Sequence, residues 1–423
     1  MPTPTAGSRR WRTTARTSGG GCCRAWRPRI GTTADPRHGR ALRLRGDRAG
    51  CAGQRRGPRA GAPRALRRRA RALRARPPPR RQPRHQPDPP AQLPHPDYVR
   101  LTQEAYHDWA RLEAASGESL VTVVGGLDLF PPDPAIPMDD YVTSLDEVGI
   151  PFELLTVDAI ADRWPQFRLP PGTVGLFQDR GAIVPAGRGT RVMQQLATRH
   201  GAVLRDRSPV SGLRDLGAAG VEVEAGGATY RCRGVVLCAD AWTNDVLAGL
   251  GQTVPLTVTL EQATYFAPED PSRFEPRRLP LWIWMDEPSF YGFPCYGEPT
   301  IKAAQDCGGP EADPDHRTDE VDRARLALLA DHLATTLPGS GRPVRSLRCH
   351  YTLTPDRDFV LDRVPGHESV VVGLGAAHGF KFAPTFGRLL ADLATGDRAH
   401  ELPAFRLDRP ALTDPAYAPH WLV

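Results

Sequence analysis

The stretch SVVVGLGAAHGFKFAPTFGRLLADLA, which runs from Ser369 to Ala394, decides the fold class. Its first residues form a nearly continuous apolar run, as expected of a strand that is buried on both faces of a parallel sheet. A glycine-rich turn follows, and Pro384–Ala394 then has the spacing of a helix. A buried strand that leads through glycines into a helix is the pattern of a doubly wound, nucleotide-binding α/β domain.

Two earlier regions complete this architecture. Arg233–Cys238 is a second apolar run that predicts another buried parallel strand, and a helix follows from Ala241. Residues 253–305 instead alternate polar and apolar side chains in short runs broken by proline, which predicts an antiparallel sheet. The sequence therefore predicts an α/β fold with an α+β insertion, in which a doubly wound domain is interrupted by an antiparallel-sheet substrate domain. The nucleotide-binding part, the substrate domain and the return to the first domain are expected at residues 94–250, 251–340 and 341–423.

Apolar periodicity predicts the remaining elements. Helices are expected at Tyr98–Ala115, Val157–Trp164, Arg188–His200 and Asp319–Thr336. Strands are expected at Ala202–Leu204, Gly220–Ala225 and Ala228–Cys232, and a strand or hairpin at Leu120–Leu129.

The N-terminal segment differs from everything that follows it. Residues 1–90 contain 25 arginines and three acidic residues, a net charge of +22, and the other 30 basic and 45 acidic residues give −15, so that the whole chain carries +7. The segment has almost no apolar periodicity, and no apolar run is long enough for a signal peptide or a membrane span. We therefore expect it to pack poorly against the rest of the chain.

Three interpretations stay open for residues 1–93. The segment is a disordered basic tail that binds nucleic acid or an anionic membrane, a transit peptide, or a stretch translated out of frame. We favour the third interpretation, because GC-rich DNA read in a wrong frame yields this mixture of arginine, proline, alanine and glycine.

The cysteines indicate a reducing environment. All eight are scattered along the chain, which argues against a disulfide framework, and no Cys/His spacing resembles a metal site. A cytoplasmic location fits this pattern best.

Lysine is rare in this chain. Only Lys302 and Lys381 occur among 55 basic residues. An ammonium is a compact point charge whereas guanidinium is a broad planar fork, so a lysine kept in an arginine-rich background predicts a role that arginine cannot fill. Both lysines occur among aromatic and apolar residues that should be buried.

Three motifs resemble those of one enzyme family. They are Tyr291-Gly-Phe-Pro with Lys302 eleven residues beyond the tyrosine, Cys349-His-Tyr351, and GAAHGFKF at Gly375–Phe382. On these motifs, the chain after the arginine-rich segment is similar to the monomeric sarcosine oxidase and N-methyl-tryptophan oxidase family. That family belongs to the glycine and D-amino-acid oxidase-like flavoproteins.

The resemblance implies a cofactor and a set of site residues. It implies FAD, attached covalently through a thioether from Cys349. Lys302 matches the lysine near flavin N5 that favours reaction with O2, and Lys381 matches the lysine that holds the substrate carboxylate. The residues implied to be catalytic are Lys302, Tyr291, Tyr351, Lys381 and His378. The residues implied to bind the cofactor are Cys349, Gly379, Phe380, Lys381, Trp242 and Val210.

The motifs should act together. We therefore expect both lysines to approach one common cavity, which Cys349, Tyr291 and Tyr351 also line. No metal is expected there.

The resemblance also implies an activity. The chain would be an FAD-dependent oxidase that converts a secondary or N-methyl amino acid to an imine and reduces O2 to hydrogen peroxide. Its partners would be a small amine or amino-acid substrate and O2, and it would act as a monomer without a membrane or nucleic acid. Two alternatives stay open: an amine dehydrogenase of the same family, and a non-catalytic chain whose basic arm binds nucleic acid.

Some positions depart from the family's pattern. Asp306 stands where the family often has histidine, Asp240 replaces a glycine, and Ala376-Ala377 replaces Ser-Gly. The motif G-x-G-x-x-G and the acidic residue that binds ribose are not legible in residues 1–93, so we expect the first βαβ unit to be missing.

A shifted reading frame would explain that gap. Moving the frame on by one nucleotide allows Arg80–Leu93 to be read as GASHGTSRILPPSY, which resembles the family's sequence at this point. We therefore expect the chain as written to purify colourless and inactive.

Overall fold

One large sheet and three smaller sheets carry the fold. The computed structural model describes residues 86–88, 95–396 and 402–422. The expectations that residues 1–90 pack poorly and that the first βαβ unit is missing therefore fall outside the described residues, apart from the short strand at 86–88. The strands are β1 Gln86–Asp88, β2 Thr122–Val123, β3 Gly126–Phe130, β4 Glu153–Thr156, β5 Val174–Gln178, β6 Ala182–Val184, β7 Val210–Asp215, β8 Val221–Ala225, β9 Ala228–Cys232, β10 Val235–Leu237, β11 Thr257–Ala267, β12 Leu281–Trp284, β13 Phe290–Phe293, β14 Ile301–Gln305, β15 Arg342–Leu353, β16 Val360–Val364 and β17 His367–Leu374.

Eight α-helices lie within the described residues, and capping explains some of their ends. They are α1 Pro96–Ser116, α2 Asp139–Val148, α3 Val157–Arg163, α4 Ala186–Arg199, α5 Thr243–Leu247, α6 Arg323–Thr336, α7 Ala383–Thr395 and α8 Pro410–Thr413. Helix α1 ends at Gly117, whose φ of 74° is the left-handed conformation that glycine adopts without strain. The predicted start of α6 at Asp319 is wrong, because the Asp322 carboxylate accepts the backbone N–H groups of the first turn and fixes the start at Arg323.

The large sheet has eight strands in the order β15-β11-β14-β13-β12-β3-β5-β4. All neighbours are antiparallel except β12 and β3, which run parallel. The antiparallel sheet predicted for residues 253–305 is therefore present, and it extends to strands on both sides of that region. Helix α6 covers one face, where Leu329 and Leu333 pack in one apolar cluster with Ile301 and Ala303.

A smaller α/β layer holds the stretch that decides the fold. Strand β17 pairs in parallel with β10 and antiparallel with β16. Helix α7 packs against this sheet through Leu389 and Leu390, in a cluster that also contains Trp109 of α1. Within the described residues, β10 has β17 as its only strand neighbour, and Val236 of β10 is 43% exposed.

The two other sheets correct some predictions. Strand β2 pairs with β6, whereas β3 belongs to the large sheet, so Leu120–Leu129 is not a hairpin. Strands β8 and β9 pair as predicted, and β7, which was not predicted, joins them. Ala202–Leu204 is not a strand, since Val203 is 77% exposed and no ladder forms there.

The mixed α/β architecture agrees with the predicted fold class. The domain boundaries at residues 94–250, 251–340 and 341–423 stay predictions. No α-helix within the described ranges combines the length and the apolar character needed to cross a membrane.

Candidate active site

One face of the large sheet carries the predicted chemistry. Lys302 on β14 lies opposite Tyr265 on β11, and Cys349 on β15 lies opposite Glu261 on β11. Residues opposite each other share a face, and so do residues two apart on one strand. Positions 261 and 265 are separated by an even number of residues on β11, so their side chains lie on the same face. Lys302 and Cys349, which lie opposite them, therefore project from that face as well.

The two tyrosines belong to this face as well. Tyr351 lies two residues beyond Cys349 on β15, and Tyr291 on β13 lies opposite Ala304, two residues beyond Lys302. The hydroxyl oxygens of Tyr291 and Tyr351 are 3.4 Å apart. Burial raises the pKa of both hydroxyls, so both stay protonated at neutral pH and can donate hydrogen bonds.

Lys302 is held in a largely apolar environment. Its Nζ lies 5.5 Å from the ring centroid of Phe293, close enough for a cation–π contact. Burial lowers the pKa of Lys302 to about 8, and the neighbouring Cys349 opposes this fall. At pH 7 the side chain is still mainly charged, which places a positive charge on the face of the sheet.

Cys349 carries a half-buried thiol that is not in a disulfide, in the middle of this group. It lies close enough to raise the pKa of both Lys302 and Tyr291. Because the thiol is neither disulfide-bonded nor fully enclosed, it can form a bond with a cofactor placed against this face.

A second group of site residues lies in the turn after β17. Lys381 is 5% exposed, and its Nζ lies 3.2 Å from Nδ1 of His378. His378 Nε2 lies 3.2 Å from the carbonyl oxygen of Arg357. Since a carbonyl only accepts, Nε2 carries the proton and Nδ1 accepts from Lys381. Burial, and then the charges of Lys381 and Arg357, hold the pKa of His378 well below its usual value.

The turn itself is tight enough to need glycine. Gly379 and Phe380 lie in the 3₁₀ helix Gly379–Phe382. A Cβ at Gly375 would approach the Cα of Gly379 to 3.0 Å, and a Cβ at Gly379 would meet the ring of Phe386 at 3.0 Å. A side chain at either position would therefore collide with the turn or with Phe386, so the turn needs glycine at both.

The last two predicted cofactor residues belong to other elements. The indole N–H of Trp242 donates to Asp315 at 2.9 Å. Val210 begins β7 in the separate sheet β7-β8-β9 and is 38% exposed. Asp240, where the family has glycine, adopts a left-handed φ of 48°.

In the described part of the chain, the two lysines line separate small pockets. Lys302 and Tyr265 line a pocket of about 10 Å³, and Lys381 and Trp109 line a different one of about the same volume. Their convergence on one cavity therefore stays a prediction.

A buried ion pair, which the sequence did not reveal as part of the site, connects the two groups. Arg357 is 5% exposed, and its guanidinium lies 2.8 Å from the carboxylate of Asp306. Asp306 raises the pKa of Tyr351, after the larger effects of burial and Tyr291, so the pair lies beside the tyrosines. The departure from histidine at position 306 was visible in the sequence, but its partner was not.

The chemistry of these residues fits a flavin: a thiol can form a thioether, and an ammonium and two hydroxyls can meet the polar edge of its ring. The Cys349 thiol and the half-buried Lys302 share one face of the sheet, and the turn after β17 carries glycine at positions 375 and 379. The expectation that no G-x-G-x-x-G motif binds the pyrophosphate concerns residues 1–93, nearly all of which lie outside the described ranges.

Comparison with known proteins places the chain in a family. The family described as DAO, FAD dependent oxidoreductase, matches residues 40–393. The monomeric sarcosine oxidase of Streptomyces avermitilis is 31% identical over 322 residues, which cover 73% of this chain and 82% of that protein. The N-methyl-L-tryptophan oxidase of Salmonella heidelberg is 27% identical over 323 residues, covering 74% and 83%. Among solved structures, NikD, an unusual amino acid oxidase essential for nikkomycin biosynthesis, aligns with a TM-score of 0.67 and 27% identity over 76% of this chain and 85% of that chain.

The chain therefore belongs to the DAO family of FAD-dependent oxidoreductases. The predicted relationship to the sarcosine and N-methyl-tryptophan oxidases and the predicted fold class are confirmed. The family match begins at residue 40, inside the arginine-rich segment, so the out-of-frame interpretation of residues 1–93 stays a prediction.

Proposed function

We propose that this protein is an oxidase of secondary or N-methyl amino acids, with FAD attached through Cys349. The observation that carries the proposal is the shared face of the large sheet, on which Lys302, Tyr291, Tyr351 and Cys349 lie together. When bound, FAD would accept the two electrons of the amine's C–H bond as a hydride and pass them to O2, giving an imine and hydrogen peroxide.

The substrate would be held by charge and by hydrogen bonds from this chain. The Lys381 ammonium would bind the substrate carboxylate. One N–H of this ammonium donates to Nδ1 of His378, which orients the other two N–H groups toward the substrate. The rings of Tyr291 and Tyr351 would form walls of the amine site, and their hydroxyls would donate hydrogen bonds. The neutral ring of His378 adds no charge that would compete with the lysine.

Lys302 favours an oxidase over the alternative dehydrogenase. A positive charge fixed in an apolar environment stabilises the negative charge that develops as O2 receives its first electron. With its pKa near 8, Lys302 carries that charge at neutral pH. We infer that the enzyme acts as a cytoplasmic monomer.

The N-terminal segment decides whether the chain as written is active. The pyrophosphate of a dinucleotide normally rests on the N-terminus of the first helix of a βαβ unit. We propose that residues 1–93 are out of frame and cannot supply that helix.

The activity can be tested with a frame-corrected gene. We expect sarcosine or another N-methyl amino acid to yield hydrogen peroxide, and Lys302→Met to reduce the rate with O2 by about 100-fold or more. Anaerobic reduction of the flavin by substrate should change little in this variant, because Lys302 acts on O2. Turnover with an artificial electron acceptor but none with O2 would identify a dehydrogenase instead. Absence of flavin from the corrected protein, together with binding of nucleic acid, would favour the non-catalytic alternative.

A further inference from the structure

Arg357 lies close to both groups of the candidate site: its carbonyl oxygen contacts His378, and Tyr351 is near enough to influence its pKa. It follows β15 in a turn in which its own N–H donates to the carbonyl of Thr354 at 3.1 Å. Its φ of 60° is left-handed, a conformation that a residue with a side chain adopts only where its surroundings hold it.

The side chain of Arg357 supplies that restraint. The Nη2 atom of Arg357 donates to Asp306 at 2.9 Å, and its Nη1 atom donates to the carbonyl of Trp421 at 2.8 Å. The side chain of Asp306 is 18% exposed and that of Arg357 5%, so solvent screens the pair weakly. Two charge-assisted hydrogen bonds from one planar group fix its position and orientation.

The main chain of Arg357 reaches the other half of the site. Its carbonyl oxygen accepts the Nε2 proton of His378, which leaves Nδ1 free to accept from Lys381. If the carbonyl moved away, Nε2–H would lose its acceptor, and the ring would no longer present Nδ1 to the lysine in one direction.

We propose that Arg357 is a positioning residue, which fixes the His378 tautomer and through it the direction of the Lys381 ammonium. The ion pair with Asp306 fixes the position of the Arg357 side chain, which stabilises the left-handed turn. That turn sets the direction of the Arg357 carbonyl toward His378. The consequence for substrate binding rests on the function proposed above, whereas the hydrogen bond to His378 does not.

The hydrogen bond can be observed directly in the chain as it exists. Protein labelled with ¹⁵N in its histidine rings should show a protected Nε2–H resonance that His378→Gln removes. The double variant Arg357→Met/Asp306→Asn removes the ion pair without leaving a buried charge unpaired. We expect exchange of this proton with water to become about tenfold faster or more, which corresponds to the loss of one hydrogen bond.

A matched control separates positioning from stability. Arg325 and Glu261 form another buried pair, with side chains 11% and 3% exposed, and Arg325→Met/Glu261→Gln should leave the His378 proton unchanged. If the first double variant fails to fold, Arg357→Leu/Asp306→Asn also removes the ion pair without leaving a buried charge, and it should also speed exchange. An unchanged exchange rate in either Asp306 variant would overturn the proposal.

Activity measured on frame-corrected, flavin-bearing protein tests the consequence separately. The double variant at Arg357 and Asp306 should raise KM for the amino acid by about tenfold with a smaller change in kcat, because Lys381 remains but is less well directed. Faster proton exchange in a protein without any amine oxidation would support the positioning role and contradict the proposed function.

Discussion

Replacing Lys302 by methionine should stabilise the protein. Burial lowers the pKa of this lysine from its ordinary value of 10.5 to about 8. At 1.36 kcal/mol for each pKa unit, holding the ammonium in the folded state costs about 3 kcal/mol. Methionine has a similar length without the charge, so we expect Lys302→Met to raise the free energy of unfolding by about 3 kcal/mol at pH 7, or the melting temperature by about 6 °C.

The stability difference between Lys302→Met and the wild type should depend on pH. Below pH 8 the lysine is protonated in both the folded and the unfolded states, and the full penalty applies. Between pH 8 and 10.5 the folded state loses its proton first, so the wild type gains stability as pH rises. The advantage of Lys302→Met should therefore be largest at pH 7 and nearly vanish by pH 10.5.

Urea unfolding of both proteins at several pH values measures this difference. Lys302→Arg, whose guanidinium cannot lose its proton, should be less stable than the wild type at every pH. Arg207→Met, at a side chain that is 81% exposed, should change little. Equal stability of wild type and Lys302→Met at pH 7, or a gain that does not depend on pH, would refute the account of Lys302 as a buried ammonium.

Three other substitutions test the described structure, each by the midpoint of urea unfolding. Ala377→Gly should stabilise the protein by about 1 kcal/mol, because Ala377 holds a φ of 74° that glycine adopts without strain; a loss of stability would contradict this conformation. Asp128→Leu should stabilise it by about 1–3 kcal/mol at neutral pH, since Asp128 is fully buried and its carboxyl oxygens have no hydrogen-bond partner among the described residues. Burial raises the pKa of Asp128 well above 3.8, so this gain should grow as pH rises from 4; a gain that shrinks would point to an ionised, paired carboxylate. Arg409→Met should destabilise the protein by about 3–5 kcal/mol, because it leaves Asp356, 9% exposed, without the guanidinium 2.6 Å away; a change below about 1 kcal/mol would contradict this pairing.

The fold was predictable where the pattern is local. The apolar run into β17, the glycine-rich turn and α7 follow from residues next to each other in the chain. The placement of β2 and β3 in different sheets did not follow, because a hairpin and two separate strands have the same alternation. Strand β7 was missed because Val210 and Ser211 at its start are exposed and do not form part of an apolar pattern.

The candidate site was predictable only in its motifs. Lys302, Cys349 and Tyr351 were named from their neighbours in sequence, but β11, which lies between β14 and β15, sets their register. Asp306 and Arg357 are 51 residues apart in the chain, so no local pattern links them. Their pairing also depends on the left-handed conformation of Arg357, which the sequence does not predict because arginine rarely adopts it. Contacts of that kind become visible only once the sheet has placed both residues.

The fate of the flavin after acid precipitation tests the central claim most directly. Protein from the frame-corrected gene should precipitate yellow, with FAD retained on the peptide that contains Cys349, whereas Cys349→Ser should release its colour into the supernatant. Protein from the sequence as written should be colourless. Flavin that leaves the corrected wild-type protein in acid would contradict the role of Cys349, and yellow, active enzyme from the uncorrected sequence would contradict the account of residues 1–93.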